Sequence, residues 1–581
     1  MEASMDCSDK RQADDLSPRN GKAHVVGPTN IDLWQKTIPE VFKETVSKFP
    51  NRDAAVFPEQ GIRRTWAELD VEADALAAGF LNLGLQPGDR VGIWSPNRHE
   101  WLLTQIATAR VGLILVTINP AYRLAEVEYV LNQVECSCLV TAAVFKTSNY
   151  VSMIQELAPE LISSKPGSLK SSLLPHLKAV VCMGEETVPG MLKFGDVVDS
   201  GRNIETQDLD RISERLDPDD PINIQFTSGT TGAPKGATLT HINILNNGRF
   251  VVATQNFTEA DRLCIPVPLY HCFGMVMGVL GCISTGAAMV FPSEGFDPVA
   301  TMSAVDSEKC TSIYGVPTMF VACLQHPNIK DLDLQALRTG VMAGAPCPIE
   351  VMKRCVNELN LRDITIAYGM TETSPVSFQT STEDPLERRV STVGRIQPHT
   401  EVKIIDADGN TVPPGEQGEL CTRGYCVMKG YWNEPTRTSE AIDEDGWMHT
   451  GDLGVIDQEG YCNITGRVKD MLIRGGENVY PREIEEFLYR HPSVQEVQVF
   501  GVPDKKFGEE VCAWIVPKSG QPVPDEEAIR TFCQGQIAHY KIPRYVRIKD
   551  TIPMTVTGKP QKFVMRDMMI EELNIDIEET A

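Results

Sequence analysis

The sequence predicts an α/β protein with a large N-terminal domain and a small α+β C-terminal domain. The chain has 581 residues, which is too long for one hydrophobic core and favours roughly two to four domains. Helical and strand patterns alternate from residue 30 to about residue 220, and this alternation is typical of a parallel sheet flanked by helices. Near residues 466–470 the pattern changes, which indicates a domain boundary there.

The first part of the chain supplies the alternation. Residues 67–83 and 100–111 have helical periodicity, and residues 90–94 between them have a strand pattern. Residues 119–122 predict a turn, after which residues 124–134 are again helical. These segments predict successive helices and a strand of the large domain.

The middle of the chain continues with a strand at residues 222–226, where apolar and polar side chains alternate. A second short strand is predicted around Ala237. Thr240 then has the residue type and position of a helix N-cap, for a helix that runs through Gly248.

The C-terminal part predicts a compact α+β arrangement. Residues 484–489 and 526–536 are helical in pattern, and residues 494–502 and 511–516 have strand patterns. Because both strands and helices are short here, we expect a small domain beyond the boundary.

Composition and charge exclude several classes of protein. The net charge is −25, from 54 basic and 79 acidic residues, which argues against a nucleic-acid partner because a phosphate backbone requires a basic face. The longest apolar run, residues 275–291, is shorter than a membrane-spanning helix and is interrupted by glycine and serine. The sequence therefore predicts no transmembrane segment.

The cysteines and the termini bear on the cell compartment. The 16 cysteines include no CxxC pair, and neither Cys136 with Cys138 nor Cys421 with Cys426 has a partner at zinc spacing, so reduced intracellular thiols are expected. The N-terminus is polar and lacks the apolar segment of a secretory signal, and the C-terminus does not end in Ser-Lys-Leu. A cytoplasmic location is predicted, and a homodimer is an assembly that the sequence allows.

One loop has the composition of a phosphate-binding loop. Glycines let backbone N–H groups converge on an anion, hydroxyls donate hydrogen bonds and a lysine adds positive charge. It is not a Walker A loop, because its lysine is followed by glycine. A surface turn is the alternative interpretation. The loop consists of Thr227, Ser228, Gly229, Thr230, Thr231, Gly232, Ala233, Pro234, Lys235 and Gly236.

Three further motifs follow in order along the chain. Glu372 lies between two threonines in Ala-Tyr-Gly-Met-Thr-Glu-Thr, directly after a β-prone run. Asp452 lies in Thr-Gly-Asp-Leu-Gly, and fifteen residues later Arg467 begins Arg-Val-Lys-Asp. Lys559 lies in Val-Thr-Gly-Lys-Pro. Alone, each fits a strand end, a turn former or a solvated lysine, but their order and spacing point to one functional site.

Together these motifs resemble the adenylate-forming superfamily of acyl-CoA synthetases, aryl-CoA ligases, luciferases and peptide-synthetase adenylation domains. The resemblance extends from about Trp34 to Met569. Pro-Leu-Tyr-His-Cys-Phe-Gly at 268–274 and Gly-Tyr-Trp-Asn at 430–433 are most similar to the fatty acyl-CoA synthetases, especially the medium-chain enzymes. The resemblance implies activation of a carboxylate by ATP and Mg²⁺ to an acyl-AMP with release of pyrophosphate, followed by transfer to CoA.

The resemblance also implies the domain organisation. Residues 1–27, which are polar and mixed in charge, are expected from their composition to be a disordered leader. Residues 28–466 are expected to form a large ATP- and acyl-binding domain of parallel-sheet α/β layers with a β-barrel-like subdomain. Residues 467–470 would form a hinge. Residues 471–581 would form a small mobile α+β domain that carries the catalytic lysine.

Residue roles are carried over from the family motifs. The residues from Thr227 to Lys235 would hold the β- and γ-phosphates, Glu372 would bind the magnesium and Thr371 would lie near the α-phosphate. Asp452 would accept the ribose hydroxyls. The walls of the adenine slot would be Gly344, Ala345, Pro346, Tyr368 and Gly369.

The remaining roles separate the two half-reactions. Lys559 would bridge the substrate carboxylate and the α-phosphate during adenylation, and Arg467 would support the ribose. Lys469 would be the hinge about which the small domain rotates. Gly475 and Gly476 would then leave room for the pantetheine of CoA.

The lack of a carboxylate in one segment narrows the predicted substrate class. Residues 269–275 contain no carboxylate, whereas amino-acid-activating members of the superfamily carry an aspartate near this segment, so a plain carboxylic acid is favoured. His271 is a candidate catalytic or acyl-pocket residue and, equally, a structural histidine. The small or apolar residues that suit either an acyl channel or core packing are Gly278, Val279, Gly281, Val341, Met342 and Ala343.

Several functions stay open on the sequence. Fatty acid–CoA ligation, with medium- or long-chain acids, leads. An aryl-CoA ligase of the coumarate type differs only in substrate, and an acyl-AMP ligase could serve a carrier protein instead of CoA. A nucleotide-binding regulator without catalysis is disfavoured, because Glu372, Asp452 and Lys559 are all retained.

Overall fold

The computed structural model describes residues 16–203, 206–227, 234–345, 347–467, 470–474, 477–504, 506–555 and 558–575. The strands are β1 (His24–Val26), β2 (Asp53–Phe57), β3 (Ile62–Thr65), β4 (Arg90–Trp94), β5 (Ile114–Thr117), β6 (Cys138–Thr141), β7 (Val144–Phe145), β8 (Ser148–Asn149), β9 (Ala179–Cys182), β10 (Leu192–Lys193), β11 (Pro221–Thr227), β12 (Lys235–Thr240), β13 (Arg262–Cys264), β14 (Ala288–Val290), β15 (Ser312–Gly315), β16 (Thr339–Ala343), β17 (Asp363–Gly369), β18 (Val376–Gln379), β19 (Arg395–Ile396), β20 (Thr400–Ile405), β21 (Gln417–Gly424), β22 (Gly430–Tyr431), β23 (Met448–Ile456), β24 (Cys462–Arg467), β25 (Leu472–Arg474), β26 (Glu477–Val479), β27 (Val494–Asp504), β28 (Gly508–Pro517) and β29 (Tyr545–Ile548).

The α-helices are α1 (Ile38–Lys48), α2 (Trp66–Asn82), α3 (His99–Arg110), α4 (Leu124–Gln133), α5 (Tyr150–Leu157), α6 (Phe194–Gly201), α7 (Thr206–Ser213), α8 (His241–Thr254), α9 (Gly281–Thr285), α10 (Pro298–Ser307), α11 (Pro317–Leu324), α12 (Ile349–Glu358), α13 (Leu386–Ser391), α14 (Pro435–Ala441), α15 (Pro481–Leu488), α16 (Glu526–Cys533) and α17 (Lys562–Glu572). A π-helix spans Phe273–Leu280 and runs into α9. Short 3₁₀ helices lie at Arg19–Gly21, Pro159–Ser163, Ile329–Asp331, Thr371–Thr373 and His539–Lys541.

Two large sheets with parallel centres form the body of the large domain. One has the strand order β10-β9-β6-β4-β5-β11-β12-β22 and the other β19-β18-β17-β16-β15-β13-β14-β2-β3. Strand β11 runs parallel to β5 but antiparallel to β12, the next strand along the chain, so β11 and β12 form a hairpin. Because carboxyl ends of parallel strands meet at one sheet edge, β16 and β17 deliver their following loops side by side. The predicted α/β class is confirmed.

The predicted helices are present, but the ends of three differ: α8 extends six residues past the predicted end at Gly248, α15 begins three residues early and α16 ends three residues early. Helices α2, α3 and α4 differ by at most one residue at either end from residues 67–83, 100–111 and 124–134. Thr240 caps α8 as predicted, since its hydroxyl accepts a hydrogen bond from the Asn243 N–H at 3.2 Å. Local periodicity and cap chemistry were sufficient to find these elements.

A five-stranded antiparallel sheet, in the order β1-β20-β21-β23-β24, adjoins the two large sheets. Strand β1 comes from the segment that we predicted to be a disordered leader, and it pairs with β20. That prediction is wrong for residues 16–27. The alternating side chains of Ala23 and Val25 are buried, as is Leu16, and the strand covers the edge of β20. Residues 1–15 lie outside the described part of the chain.

The C-terminal sheet has its own hydrophobic cores. Its order is β26-β25-β28-β27, and β29 lies parallel to β28. Alternate residues of β27 and β28 enter separate clusters, with Val497 and Ile515 in one and Phe500 and Trp514 in the other. Since side chains of a strand alternate between faces, helices cover both faces of this sheet. None of the helices in the described ranges is long and apolar enough to cross a membrane.

Candidate active site

The predicted phosphate-binding loop connects the two strands of the β11–β12 hairpin. Thr227 and Lys235 are register partners at the loop end of that hairpin, so the loop must begin and end at neighbouring points. Pro234 directly precedes β12. The Lys235 ammonium lies 4.8 Å from the centre of the Tyr431 ring, within range of a cation–π contact. Residues 228–233, which carry the predicted Ser228, Gly229, Thr230, Thr231, Gly232 and Ala233, lie outside the described residues.

Glu372 is a buried carboxylate held by neutral donors. It lies in the 3₁₀ helix after β17 and is 5 % exposed. The Tyr431 hydroxyl donates to its Oε1 at 2.9 Å, and the Thr227 hydroxyl donates to the same atom at 3.3 Å. Its backbone carbonyl accepts from the Met428 N–H at 2.9 Å. Thr371, the neighbouring predicted residue, is also buried.

This environment fits a magnesium ligand. Burying an unpaired carboxylate is costly, and within the described ranges Glu372 forms no salt bridge that would neutralise it. Magnesium prefers one or two carboxylates together with phosphate oxygens. Glu372, steadied by Tyr431 and Thr227, is therefore the residue that would hold the ion, with Thr371 beside it.

Asp452 is clamped from two sides. The Tyr368 hydroxyl donates to its Oδ2 at 2.7 Å, and the Arg467 Nε donates to its Oδ1 at 3.0 Å. Asp452 and Arg467 are register partners in the antiparallel pair β23–β24, which explains why residues fifteen positions apart meet. The charge of Asp452 raises the pKa of Arg467, and burial followed by Asp452 raises that of Tyr368.

The predicted adenine slot lies at the carboxyl ends of β16 and β17. Gly344 and Ala345 follow β16, while Tyr368 and Gly369 end β17, and the two strands are parallel neighbours. Gly344 has φ +83°, which a side chain at this position would strain. Pro346 lies outside the described residues.

Lys559 reaches the same place from the small domain. Its turn is closed by a Met554–Pro560 bridge and by the Lys559 N–H, which donates to the Thr555 hydroxyl at 3.0 Å. Its Cε lies 3.7 Å from the point where a Cβ on Gly344 would stand. The lysine therefore lies against the end of β16 in the large domain.

The charges of the site act on the Lys559 ammonium together. Burial lowers the pKa of Lys559 and Arg467 lowers it further, while Asp452 and Glu372 act in the opposite direction. The site thus brings one lysine, one arginine and two carboxylates from distant parts of the chain within electrostatic reach of one another.

His271 lies near Lys559 and is neutral. Its Nδ1 accepts a hydrogen bond from the Phe273 N–H at 3.1 Å, which leaves its proton on Nε2. Burial, followed by the charge of Lys559, lowers the pKa of His271 to about 3. At neutral pH it can donate one hydrogen bond but cannot supply a positive charge.

The glycines of the suggested acyl channel lie in tight helix packing. A Cβ on Gly281 would stand 2.6 Å from Val252 Cγ1, and one on Gly278 would stand 3.1 Å from the Ile265 side chain. These contacts give both glycines a packing role. Val279, Val341, Met342 and Ala343 are likewise buried. The predicted hinge Lys469 and the predicted pantetheine residues Gly475 and Gly476 lie outside the described residues.

Tyr431 is a site residue that motif reasoning missed. It belongs to Gly-Tyr-Trp-Asn, which entered the sequence analysis only as a family signature. Strand β22 pairs with β12 at the sheet edge, and this nonlocal pairing places Tyr431 between Lys235 and Glu372. The sequence feature that could have indicated Tyr431 is its residue type, an aromatic side chain with a hydroxyl group, inside a family motif.

Comparison with known proteins identifies the family. The sequence model described as AMP-binding enzyme matches residues 42–432, and that described as AMP-binding enzyme C-terminal domain matches residues 483–559. The chain belongs to the AMP-binding enzyme family.

Similar proteins cover nearly the whole chain. YngI of Bacillus subtilis (strain 168) is 49 % identical over 545 residues, 94 % of this chain and 99 % of its own length. The mitochondrial medium-chain acyl-CoA ligase ACSF2 of Danio rerio is 46 % identical over 556 residues, 95 % of this chain and 91 % of its own. Among solved structures, the anthranilate CoA ligase AuaEII in complex with anthranoyl-AMP has a TM-score of 0.83 at 26 % identity, covering 94 % of this chain and 99 % of that one.

Proposed function

We propose that this chain is an ATP-dependent fatty acid–CoA ligase, AMP-forming, that prefers medium-chain acids over long-chain acids. The observation that carries the proposal is the meeting of Lys559, Glu372 and Asp452, which lie on three distant segments, around one edge of the β16–β17 pair. A nucleotide-binding regulator would not need a desolvated lysine there.

In the first half-reaction a carboxylate oxygen attacks the α-phosphorus of ATP, an acyl–phosphate anhydride bond forms and pyrophosphate leaves. Two anions meet in this step, so the site must neutralise their repulsion. Lys559 bridges the carboxylate and the α-phosphate, and the β11–β12 loop with Lys235 holds the leaving phosphates. Magnesium on Glu372 would supply further positive charge at the phosphates.

Asp452 and Arg467 position the nucleotide. The second lone pairs of the Asp452 oxygens accept the ribose hydroxyls, while Tyr368 and Arg467 keep that carboxylate ionised and oriented. Neutral His271 donates a hydrogen bond from Nε2 toward the substrate carboxylate. Of these two side chains, only Lys559 brings a positive charge to that carboxylate.

In the second half-reaction the CoA thiolate attacks the acyl carbon and AMP leaves. The attacking sulfur needs the space that Lys559 holds in this arrangement. We infer that the small domain rotates about residues 467–470, which removes Lys559 and brings Gly475 and Gly476 to the pantetheine.

Sequence similarity favours an aliphatic acid. The ligase named for medium-chain acids is 46 % identical to this chain, whereas the anthranilate ligase is 26 % identical. The aryl-CoA alternative keeps some support because the anthranilate enzyme shares the fold closely. A carrier-protein acceptor is supported by no observation on the described residues.

The test is pyrophosphate release by the purified protein with ATP, Mg²⁺ and CoA. The acids would be acetate, hexanoate, octanoate, dodecanoate, hexadecanoate, benzoate and coumarate. We expect a maximum at hexanoate or octanoate and a requirement for CoA in multiple turnovers. A maximum with an aromatic acid would replace the proposal by the aryl-CoA alternative, and absence of turnover with every acid would reject both.

We also propose a cell compartment and an oligomeric state for this protein. We keep the cytoplasm as the proposed compartment, although the name of the Danio rerio relative contains the word mitochondrial. Cell fractionation tests this, since recovery with a mitochondrial marker would overturn it. A homodimer is proposed for the assembly, and light scattering coupled to gel filtration would return the monomer mass if it is wrong.

A further inference from the structure

Three potential metal ligands converge on the five-stranded sheet, away from Glu372. They are Glu419 and Cys421 on β21 and His449 on β23, where Cys421 and His449 are direct register partners. The ligand atoms of all three lie within 4.8 Å of one another. Cys421 Sγ is 3.6 Å from His449 Nδ1, and that Nδ1 is 3.2 Å from Glu419 Oε2.

The Cys421–His449 and His449–Glu419 separations are close to two edges of a tetrahedral zinc site. With Zn–S of about 2.3 Å and Zn–N and Zn–O of about 2.1 Å, tetrahedral angles give an S–N edge of about 3.6 Å and an N–O edge of about 3.4 Å. The ideal S–N edge equals the observed distance between Cys421 Sγ and His449 Nδ1. The ideal N–O edge exceeds the observed distance between His449 Nδ1 and Glu419 Oε2 by about 0.2 Å. The third pair, Cys421 Sγ and a Glu419 oxygen, lies within 4.8 Å, so a cation could be bound after a rotation of the partly exposed Glu419 side chain.

The surroundings have the features of a supported metal site. Asp443 Oδ2 lies 3.7 Å from His449 Nε2, which is longer than a hydrogen bond. A small shift of the Asp443 side chain would let this carboxylate orient a metal-bound imidazole through its other nitrogen. Asp443 is itself fixed, because its Oδ1 accepts the Trp447 N–H at 2.8 Å. Cys421 is fully buried, while the His449 and Glu419 side chains are 33 % and 27 % exposed, which leaves a path for a cation.

We propose that Glu419, Cys421 and His449 form a binding site for a borderline-soft divalent cation of the Zn²⁺ class. As the metal–sulfur bond forms, the S–H bond of Cys421 breaks and its proton passes to solvent. His449 binds through Nδ1 and keeps its proton on Nε2, toward Asp443. The sulfur and nitrogen ligands select against Mg²⁺ and Ca²⁺, and water completes the fourth position.

Chain spacing hides this site. Cys421 has no histidine or cysteine partner at the spacing of a zinc motif, because His449 is 28 residues away and reaches it by strand pairing. The site also adjoins the predicted ribose residue, since Glu419 Oε1 accepts the N–H of Gly451, the residue before Asp452, at 3.1 Å.

The test uses Co²⁺ as a spectroscopic probe on the full-length, metal-free, reduced protein without nucleotide. We expect one Co²⁺ per chain, a sulfur-to-cobalt charge-transfer band, visible bands of tetrahedral intensity and displacement of all of them by Zn²⁺. Cys421→Ser should abolish the charge-transfer band, and Asp443→Asn should weaken binding about 10- to 100-fold. Cys462→Ser is the matched control, since Cys462 is an equally buried cysteine of the same sheet, and it should keep the full spectrum.

Two further variants keep the proposal falsifiable if Cys421→Ser fails to fold. His449→Gln changes a partly exposed side chain and should lose tetrahedral binding with the fold intact, as judged by circular dichroism. Glu372→Gln should leave the cobalt spectrum unchanged, because this site is separate from the proposed magnesium ligand. Octahedral, thiolate-free cobalt in the unsubstituted protein, or a full spectrum in His449→Gln, would overturn the proposal.

Discussion

At the scale of single residues, the site is organised by hydroxyl groups that hold its carboxylates. Tyr431 donates to Glu372, and Tyr368 donates to Asp452. Both carboxylates are nearly buried. A hydrogen bond to a buried charge contributes about 1.5–3 kcal/mol, so each tyrosine fixes the direction in which its carboxylate faces the nucleotide or the metal.

Tyr431→Phe should raise the Mg²⁺ concentration needed for half-maximal pyrophosphate release by about tenfold, the range found when an outer hydrogen bond to a metal ligand is removed. The aromatic ring beside Lys235 is retained in this variant, so the effect isolates the hydroxyl. The measurement is pyrophosphate release against Mg²⁺ at saturating ATP and acid.

Tyr461→Phe is the control for that variant. Its hydroxyl donates to Asp384 at 2.7 Å, so an equivalent tyrosine–carboxylate bond is lost away from the site. The same Mg²⁺ dependence in Tyr431→Phe as in the unsubstituted protein would show that Tyr431 does not support the metal ligand.

At the scale of elements, the turn that carries Lys559 is fitted to helix α11. Gly558 has φ +75°, and a Cβ there would stand 2.9 Å from Val316 Cγ2 and 3.2 Å from the Thr318 hydroxyl. Val316 is the N-cap residue of α11. The absence of a side chain at Gly558 therefore lets the small domain approach the large one closely enough for Lys559 to enter the site.

Gly558→Ala should slow acyl-AMP formation at least tenfold and leave thioester formation from supplied acyl-AMP much less affected. The added methyl group opposes the contact with Val316, which belongs to the arrangement used for adenylation. The two half-reactions would be measured in separate quenched assays, one of acyl-AMP formation from acid and ATP and one of acyl-CoA formation from supplied acyl-AMP.

Gly520→Ala separates this effect from backbone strain. Gly520 has φ +78° but nothing within 4 Å of its added Cβ, so it carries the same penalty of about 1–2 kcal/mol for a left-handed residue without the contact. If Gly520→Ala slowed adenylation as much as Gly558→Ala, the fit against α11 would not be the cause.

Elements also show what the sequence could and could not predict. Helices α2, α3 and α4 and the Thr240 cap follow from local periodicity and local hydrogen bonds, and both were found. Strand β1 depends on pairing with β20, in which Val25 and Val402 are 377 positions apart. Tyr431 depends on pairing with β12, where its partner Ala237 is 194 positions away. No local signal reports such partners, so residues 16–27 were mispredicted as disordered and Tyr431 was not singled out.

Site residues divide in the same way. Glu372, Asp452, Arg467 and Lys559 were predicted because they lie in motifs, and the structure brings them together. Their partners, above all Tyr368 for Asp452 and the Thr227 hydroxyl for Glu372, are set by sheet order. The acyl chain length has no counterpart in any motif, because it depends on the shape of a packed interior.

At the scale of the whole molecule, the two domains meet around a cavity that contains acidic groups. The large domain contributes Pro317, Thr318, Ala345 and Pro348, and the small domain contributes Arg482, Glu485, Glu486, Tyr489, Glu496, Gln498, Gly558 and Pro560. Burial raises the pKa of Glu496 from its usual 4.5 to about 7. The Glu496 Oε1 atom has no hydrogen-bond partner among the described residues.

Glu496 should make the folded protein less stable as the pH rises. Its folded-state pKa lies above its unfolded value, so its favourable contribution is complete below about pH 4.5 and is lost as the pH passes about 7. Glu496→Gln should therefore raise the Tm at pH 8 and change it little at pH 5, as measured by differential scanning calorimetry.

Glu527→Gln, at an exposed position of α16, controls for the loss of one negative charge from an acidic protein. An equal rise in Tm for both variants at pH 8 would assign the effect to net charge instead of the buried carboxyl group.

The two-step mechanism is the central claim, and exchange of labelled pyrophosphate into ATP tests it most directly. In the presence of octanoate and without CoA, the unsubstituted protein should catalyse this exchange, because acyl-AMP forms reversibly before CoA takes part. Lys559→Ala should lose the exchange by about 100-fold or more, the effect of removing one group that stabilises transition-state charge, yet still convert synthetic octanoyl-AMP and CoA to octanoyl-CoA. Exchange that requires CoA, or equal loss of both half-reactions in Lys559→Ala, would contradict the account.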